Sequence, residues 1–225
     1  DGFYYSSYDK PTGSELSAKT QYHKLFYHKL GTTQDEDQLI FGGEKTPRRY
    51  VGGYLTEDER FLVITAATST TGNELYVRDL QDTNGRLVNL VNNFENDHYV
   101  IANEGTRLII HTNLNAPNNR IVETDFAKPT PDSWKDLIPE TDNVMNAATG
   151  GKKIFTNYMV DVKTQVKQYD MKGKFERDIE LPGIGTAGGF ATHDACERFH
   201  AVVIRDDTDR FVEAVNLPVE RKQCF

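Results

Sequence analysis

The sequence predicts an all-β propeller of four-stranded antiparallel blades, and three observations carry that prediction. An apolar segment ending in a polar turn residue and one apolar residue recurs five times, with its last residue at 30, 80, 126, 171 and 217. A second β-branched or aromatic segment precedes each one, starting at 3, 61, 108, 154 and 200. Small or apolar segments fill the rest of a unit of about 46 residues, the spacing of four strands per blade. Helical repeats of similar length would need apolar stripes of period 3.6 over ~10 or more residues, and none is present.

The paired segments read as hairpins because β-branched and aromatic residues flank turn-forming ones. Phe3-Tyr4-Tyr5 answers residues 24–30, Phe61 to Ile64 answers 74–80, and Leu108-Ile109-Ile110 answers 120–126. Ile154-Phe155 answers 166–171, and residues 200–204 answer 210–217. Polar turn residues lie between them at 69–73, 115–119 and 206–209. A third segment, small and glycine-rich, comes before the hairpins at 50–55, 144–149 and 185–190. Its Gly52, Gly53, Ala147, Ala148, Gly188 and Gly189 suit an inner strand packed against a crowded axis. Residues 38–41, 88–91, 134–138 and 175–179 supply a fourth, outer strand. The units are therefore 1–45, 46–93, 94–140, 141–182 and 183–225, within one propeller segment that spans 1–225. The first unit begins at its second strand. Either five units close a small ring or the chain belongs to a larger propeller, and the start within a blade favours the larger one. Phe61, Tyr76, Phe155 and Tyr169 are expected in the core between blades rather than around a ligand.

Composition excludes several functions. Lys and Arg total 26 against 34 Asp and Glu, a net charge of −8, and the basic cluster Arg48-Arg49 is too small to gather phosphates, so nucleic acid is not an expected partner. No apolar run approaches the ~18 residues of a membrane span, so a membrane is not expected either. The first residues, Asp1-Gly2-Phe3-Tyr4-Tyr5, lack the basic and apolar stretches of a signal peptide. Two cysteines, Cys196 and Cys224, could form one terminal bridge or remain as reduced thiols of a cytosolic protein.

Particular residues then point to a family. Residues 1–6 (DGFYYS), 22–32 (YHKLFYHKLGT) and 34–37 (QDED) resemble the propeller of the prolyl oligopeptidases. So do residues 52–62 (GGYLTEDERFL), 73–80 (NELYVRDL), Thr112-Asn113, 116–121 (APNNRI), Asp125-Phe126 and 181–190 (LPGIGTAGGF). The resemblance runs in unbroken order from residue 1 to about 190 and departs from the family over 191–225. It implies part of a seven-bladed propeller that caps an α/β-hydrolase peptidase domain, its partner. It also implies short proline-containing peptides as substrates, no cofactor, and a cytoplasmic setting, with the bacterial periplasm as the alternative.

The implied chemistry is acyl transfer by a Ser-His-Asp set whose serine sits on a Gly-x-Ser-x-Gly elbow. Ser6, Ser7, Ser14, Ser17, Ser69 and Ser133 all lack that context, so no residue here is assigned as catalytic and the chain itself is expected to be silent. His193, Cys196 and His200 lack a second ligand pair for zinc, and Asp206-Asp207-Thr208-Asp209 lacks the spacing of a calcium loop; both read as polar turns, and no metal is assigned. Residues 7–21 lengthen the first hairpin with a polar, Pro- and Gly-containing insertion. By resemblance the corresponding loop borders the cleft between the two domains and gates substrate entry. Tyr8, Lys10, Lys19 and Gln21 are then the candidates for peptide or interdomain contact. The expected function is the non-catalytic, access-restricting part of a serine peptidase. The alternative is an engineered or stand-alone propeller that acts as a scaffold or interaction module, with residues 211–217 or 219–225 closing the ring onto the first blade.

Overall fold

The computed structural model describes residues 1–9, 20–181 and 187, together with the backbone of 204–205 and 211–212. Its strands form separate antiparallel sheets, each ordered as in the sequence. The first has three strands, β1 (Gly2–Ser7), β2 (Lys24–Lys29) and β3 (Gln38–Gly42). The second has four: β4 (Tyr50–Leu55), β5 (Phe61–Ala67), β6 (Asn73–Asp79) and β7 (Val88–Val91). The third is β8 (His98–Glu104), β9 (Arg107–Thr112), β10 (Arg120–Asp125) and β11 (Lys135–Ile138). The fourth is β12 (Met145–Gly150), β13 (Lys153–Val160), β14 (Lys163–Asp170) and β15 (Phe175–Ile179). Two short strands, β16 (Ile204–Arg205) and β17 (Phe211–Val212), pair with each other. These are propeller blades, all-β as the repeat predicts. The expectations for residues 185–190, for the 206–209 turn and for closure by 211–217 or 219–225 fall wholly or largely outside the described residues.

The recurring segment has a physical cause. At the end of β6, β10 and β14 an aspartate turns its carboxylate onto the backbone two residues ahead: Asp79 on the N–H of Gln81, Asp125 on that of Ala127 and Asp170 on that of Lys172. This Asx turn ends the strand with a side-chain acceptor where the ladder stops. The next apolar residue then bonds back to the start of the hairpin. Leu80 donates to the Arg60 carbonyl at 2.8 Å and Phe126 to that of Thr106 at 2.8 Å. Leu30 donates in the same way to Asp1 at 2.9 Å, which identifies β1 as the counterpart of β5 and β9, the second strand of a blade. A bulge also recurs between the last two strands of each of the first four sheets, at Leu25/Phe26, Leu75/Tyr76, Ile121/Val122 and Gln168/Tyr169. An extra residue there increases the local twist toward the outer strand.

The chain divides into two compact units, Asp1–Tyr99 and Val100–Phe225. In the first, two sheets face each other through Leu25, Tyr4, Ile40 and Phe41 on one side and Val51, Leu62, Ile64, Ala66 and Tyr76 on the other. Leu62, Ile64 and Ala66 alternate along β5 toward this interface, while Phe61 and Val63 are buried on the opposite face. In the second unit, Ile109, Ile121 and Ile138 of one sheet meet Met145, Ile154 and Tyr158 of the next. The opposite face of that last sheet buries Phe155, Val166 and Ile179 with Ala187. Fully buried side chains of this size each contribute roughly 1.5–3 kcal/mol.

One expectation about the inner strands needs correction. β8 reads His98-Tyr99-Val100-Ile101-Ala102-Asn103-Glu104 and contains no glycine, so smallness is not what defines an inner strand. Gly53 answers to the neighbouring sheet, since a Cβ there would lie 2.6 Å from Leu25 Cδ2. Of the four aromatics assigned to the core, Phe61 and Phe155 are fully buried, Tyr76 packs on Phe41 with ring centroids 4.8 Å apart, and Tyr169 joins the core of the second unit.

Three predictions follow from this packing. Gly53→Ala should destabilise the protein by about 1–3 kcal/mol through overpacking, and the double variant with Leu25→Ala should lose less than the sum of the two single losses in urea titrations. Val162 has a left-handed backbone (φ 63) and is 86% exposed, so Val162→Gly should raise stability by about 1 kcal/mol in the same assay. Burial of His98 pushes its pKa from 6.5 down to about 4. The unfolded chain takes up that proton near pH 6.5 and the folded chain resists it, so stability present above 6.5 is lost as pH falls toward 4, by about 3 kcal/mol. His98→Asn should flatten that part of the pH profile of the urea midpoint.

Candidate functional site

The insertion leaves the first sheet where β1 and β2 end together. Of the hairpins that correspond to it in the other blades, the tightest described, β13 to β14, turns through Asp161 and Val162 alone, whereas residues 8–23 join β1 to β2. Lys10 and Lys19 lie outside the described residues. Tyr8 and Gln21 lie on the two stems, Tyr8 exposed and Gln21 half-buried. The strand register pairs Ser7 with Lys24, so the next step sets Tyr8 opposite His23. Their rings stack, with centroids 4.2 Å apart and planes 16° from parallel. One residue further along the first stem, both oxygens of Asp9 accept from Lys24 Nζ at 2.6 Å.

His23 ties these stems to their surroundings in two places. Its Nδ1 accepts the backbone N–H of Val51, in β4 of the neighbouring sheet, at 2.8 Å. Its carbonyl accepts the Gly43 N–H at 3.1 Å. Close approach at that carbonyl requires glycine at 42, where φ is 100° and a Cβ would lie 2.3 Å from the His23 oxygen. Before it, Tyr22 has a left-handed φ of 62° and donates its N–H to the Pro47 carbonyl at 3.0 Å. A bulky residue in that conformation is strained and needs such surroundings to hold it.

The electrostatics favour a neutral histidine. Burial lowers the His23 pKa, and burial raises that of the Tyr8 hydroxyl, with Tyr50 adding to the effect. Because Nδ1 accepts a hydrogen bond, the ring proton sits on Nε2. The Asp9–Lys24 pair is weaker as an anchor: Asp9 is largely exposed, and such pairs contribute about 0.2–1 kcal/mol. The sequence reading named Tyr8 and Gln21 and did not single out His23, Asp9 or Lys24. The register, once known, carries the missing signal, since directly opposed residues of a hairpin touch.

A second cluster on the same sheet brings a histidine, a carboxylate and a hydroxyl together. Asp37 bonds His28 Nδ1 at 2.7 Å, as an orienting carboxylate would, but its other oxygen accepts from the Tyr5 hydroxyl at 2.5 Å. That bond raises the Tyr5 pKa and lowers that of Asp37, and the hydroxyl points to the carboxylate instead of the imidazole. The arrangement stabilises a buried carboxylate and does not activate a nucleophile. Among the described residues no group of three or more His, Cys, Asp or Glu side chains is placed to hold a metal ion. His193, Cys196, His200, Asp206 to Asp209 and Cys224, weighed above for metal or disulfide, lie outside the described residues. What the site can do is therefore positional: it sets where the two stems of an insertion stand.

Comparison with known proteins agrees with this architecture. The sequence profile of the prolyl oligopeptidase N-terminal β-propeller domain matches residues 1–200. A prolyl endopeptidase of Elizabethkingia miricola is 50% identical over 191 residues, covering 84% of this chain and 27% of that protein. One from Dictyostelium discoideum is 31% identical over 222 residues, covering 86% of this chain and 29% of that protein. Among solved structures, one from a study of inter-domain dynamics in two prolyl endopeptidases matches with a TM-score of 0.79 at 25% identity, over 89% of this chain and 29% of that one. Prolyl oligopeptidase B of Galerina marginata, bound to a 35mer hydrolysis and macrocyclization substrate, matches with a TM-score of 0.77 at 25% identity, over 88% of this chain and 28% of that one. The chain thus spans less than a third of the length of these relatives. With its blades, its recurring Asx turns and this match over residues 1–200, the chain belongs to the N-terminal β-propeller domain family of the prolyl oligopeptidases.

Proposed function

We propose that this propeller segment works by restricting access. Joined to the α/β-hydrolase domain of a prolyl-oligopeptidase-type serine peptidase, it covers the nucleophile and admits short proline-containing peptides. The insertion between β1 and β2 stands at the entrance. The single observation that carries the reading is the match of residues 1–200 to the propeller of that peptidase family. The anchoring of the insertion's stems by Tyr8, His23 and Lys24 supports it, because an element that screens substrates by size has to be held in place. The chain does its work sterically, and Tyr8, Lys10, Lys19 and Gln21 are the contacts it offers to peptide or hydrolase domain.

The test joins residues 1–225 to the hydrolase domain in the full-length enzyme and compares peptides of increasing length around one scissile proline. Shortening residues 10–19 should raise kcat/KM for the longest peptides about tenfold and leave that of a short reporter peptide within about threefold. Equal effects on all lengths would overturn the access reading. Separately, the purified 225-residue chain should not turn over the reporter peptide, and turnover would overturn its non-catalytic role.

A further inference from the structure

The insertion's base holds one histidine that performs two structural tasks with opposite responses to a proton. We infer that neutral His23 is the positioning residue of the insertion: it holds Tyr8 on one stem and Val51 of the neighbouring sheet at once, and protonation at Nδ1 breaks the second hold while keeping the first. Nδ1 can accept the Val51 N–H only while its lone pair is free. A proton there sets two donors face to face and leaves the Val51 N–H, on a buried residue, without its acceptor. The stack on Tyr8 persists, because an imidazolium over a tyrosine ring is a cation–π contact. The stems therefore stay fastened to each other and lose their tie to β4.

The groups around the ring agree with a switch below neutrality. On the stems these are Tyr8 and the Asp9–Lys24 pair, in which lysine already neutralises the carboxylate. Tyr50 lies beside Tyr8 at the start of β4. Before β4, Arg49 is engaged by Glu74 and Arg48 is exposed, and in the turn after β3 Glu44 and Lys45 are exposed. Burial lowers the His23 pKa, so the tie is intact at pH 7 and is lost as pH falls below the ordinary imidazole range. The role bears on activity through the access reading above and rests on it for that consequence.

Amide hydrogen exchange of the 225-residue chain tests this between pH 7.5 and 5.0, after correction for the intrinsic exchange rate. Protection of the Val51 amide should fall by up to about tenfold per pH unit as pH drops from 6.5 toward the lowered His23 pKa and level off below it, while that of Ile64, in the centre of the same sheet, stays constant. His23→Phe keeps a ring for Tyr8 and removes the acceptor, so its Val51 protection should be low at every pH. A Val51 protection that stays flat while the His23 ring titrates would overturn the role, as would wild-type protection in His23→Phe. Should that variant not fold, the wild-type profile decides alone. Exchange reads the tie and not turnover, so a flat profile leaves the access reading standing, and failure of the peptide-length test leaves this role intact.

Discussion

The rest of the structure depends on the packing of sheets through middle strands that are buried on both faces. A ladder of backbone hydrogen bonds fixes the order of strands within a sheet but leaves its faces uncommitted. β5 commits them: Leu62, Ile64 and Ala66 face the first sheet, and Phe61 and Val63 are buried on the other side. A strand buried on both faces has no stable position at a surface, and within Asp1–Tyr99 the first sheet covers one of those faces. Gly53 follows from that demand, because the side chain it lacks would occupy the place of Leu25. The site follows from it too. Val51 sits in the same interface, and the histidine that holds the insertion reaches the edge of that core to find its donor.

How much of this was legible in the sequence depends on whether a residue's role is local. The Asx turns at Asp79, Asp125 and Asp170 use contacts only two residues apart, so their aspartates stood out at fixed intervals and marked the repeat. The middle strands were equally plain, since burial on both faces leaves a continuous apolar run. β8 was missed because its role as inner strand is set by its place in the sheet, and His98 and Tyr99 satisfy that place as well as glycine does. The recurrent bulges were invisible for a related reason: a bulge is a relation between two strands, and neither carries a composition that announces it.

The same distinction separates Tyr8 from His23. Length, Pro and Gly marked the insertion as a loop of interest, and Tyr8 was named with it. His23 was overlooked because it precedes β2 as an ordinary polar residue, and its value lies in what opposes it. Knowing that Ser7 pairs with Lys24 is enough to place His23 beneath Tyr8. No one-dimensional pattern supplies the bond to Val51, 28 residues away in another sheet. Sequence reasoning therefore located the loop and not its anchor.

Magnitudes decide which contact is the anchor. Lys24 and Asp9 form the more conspicuous interaction, with two short bonds, yet Asp9 stands in solvent and the pair contributes about 1 kcal/mol at most. Salt weakens it further, and its long side chains tolerate movement of the stems. The His23 bond is neutral, partly buried and directional, so it defines a position where the ion pair merely favours proximity. Losing the ion pair leaves two groups that water can satisfy. Losing the histidine's acceptor leaves the N–H of a residue that is 3% exposed, where water is scarce. In a chain of net charge −8, a neutral acceptor also holds its partner without adding to the charge repulsion around it.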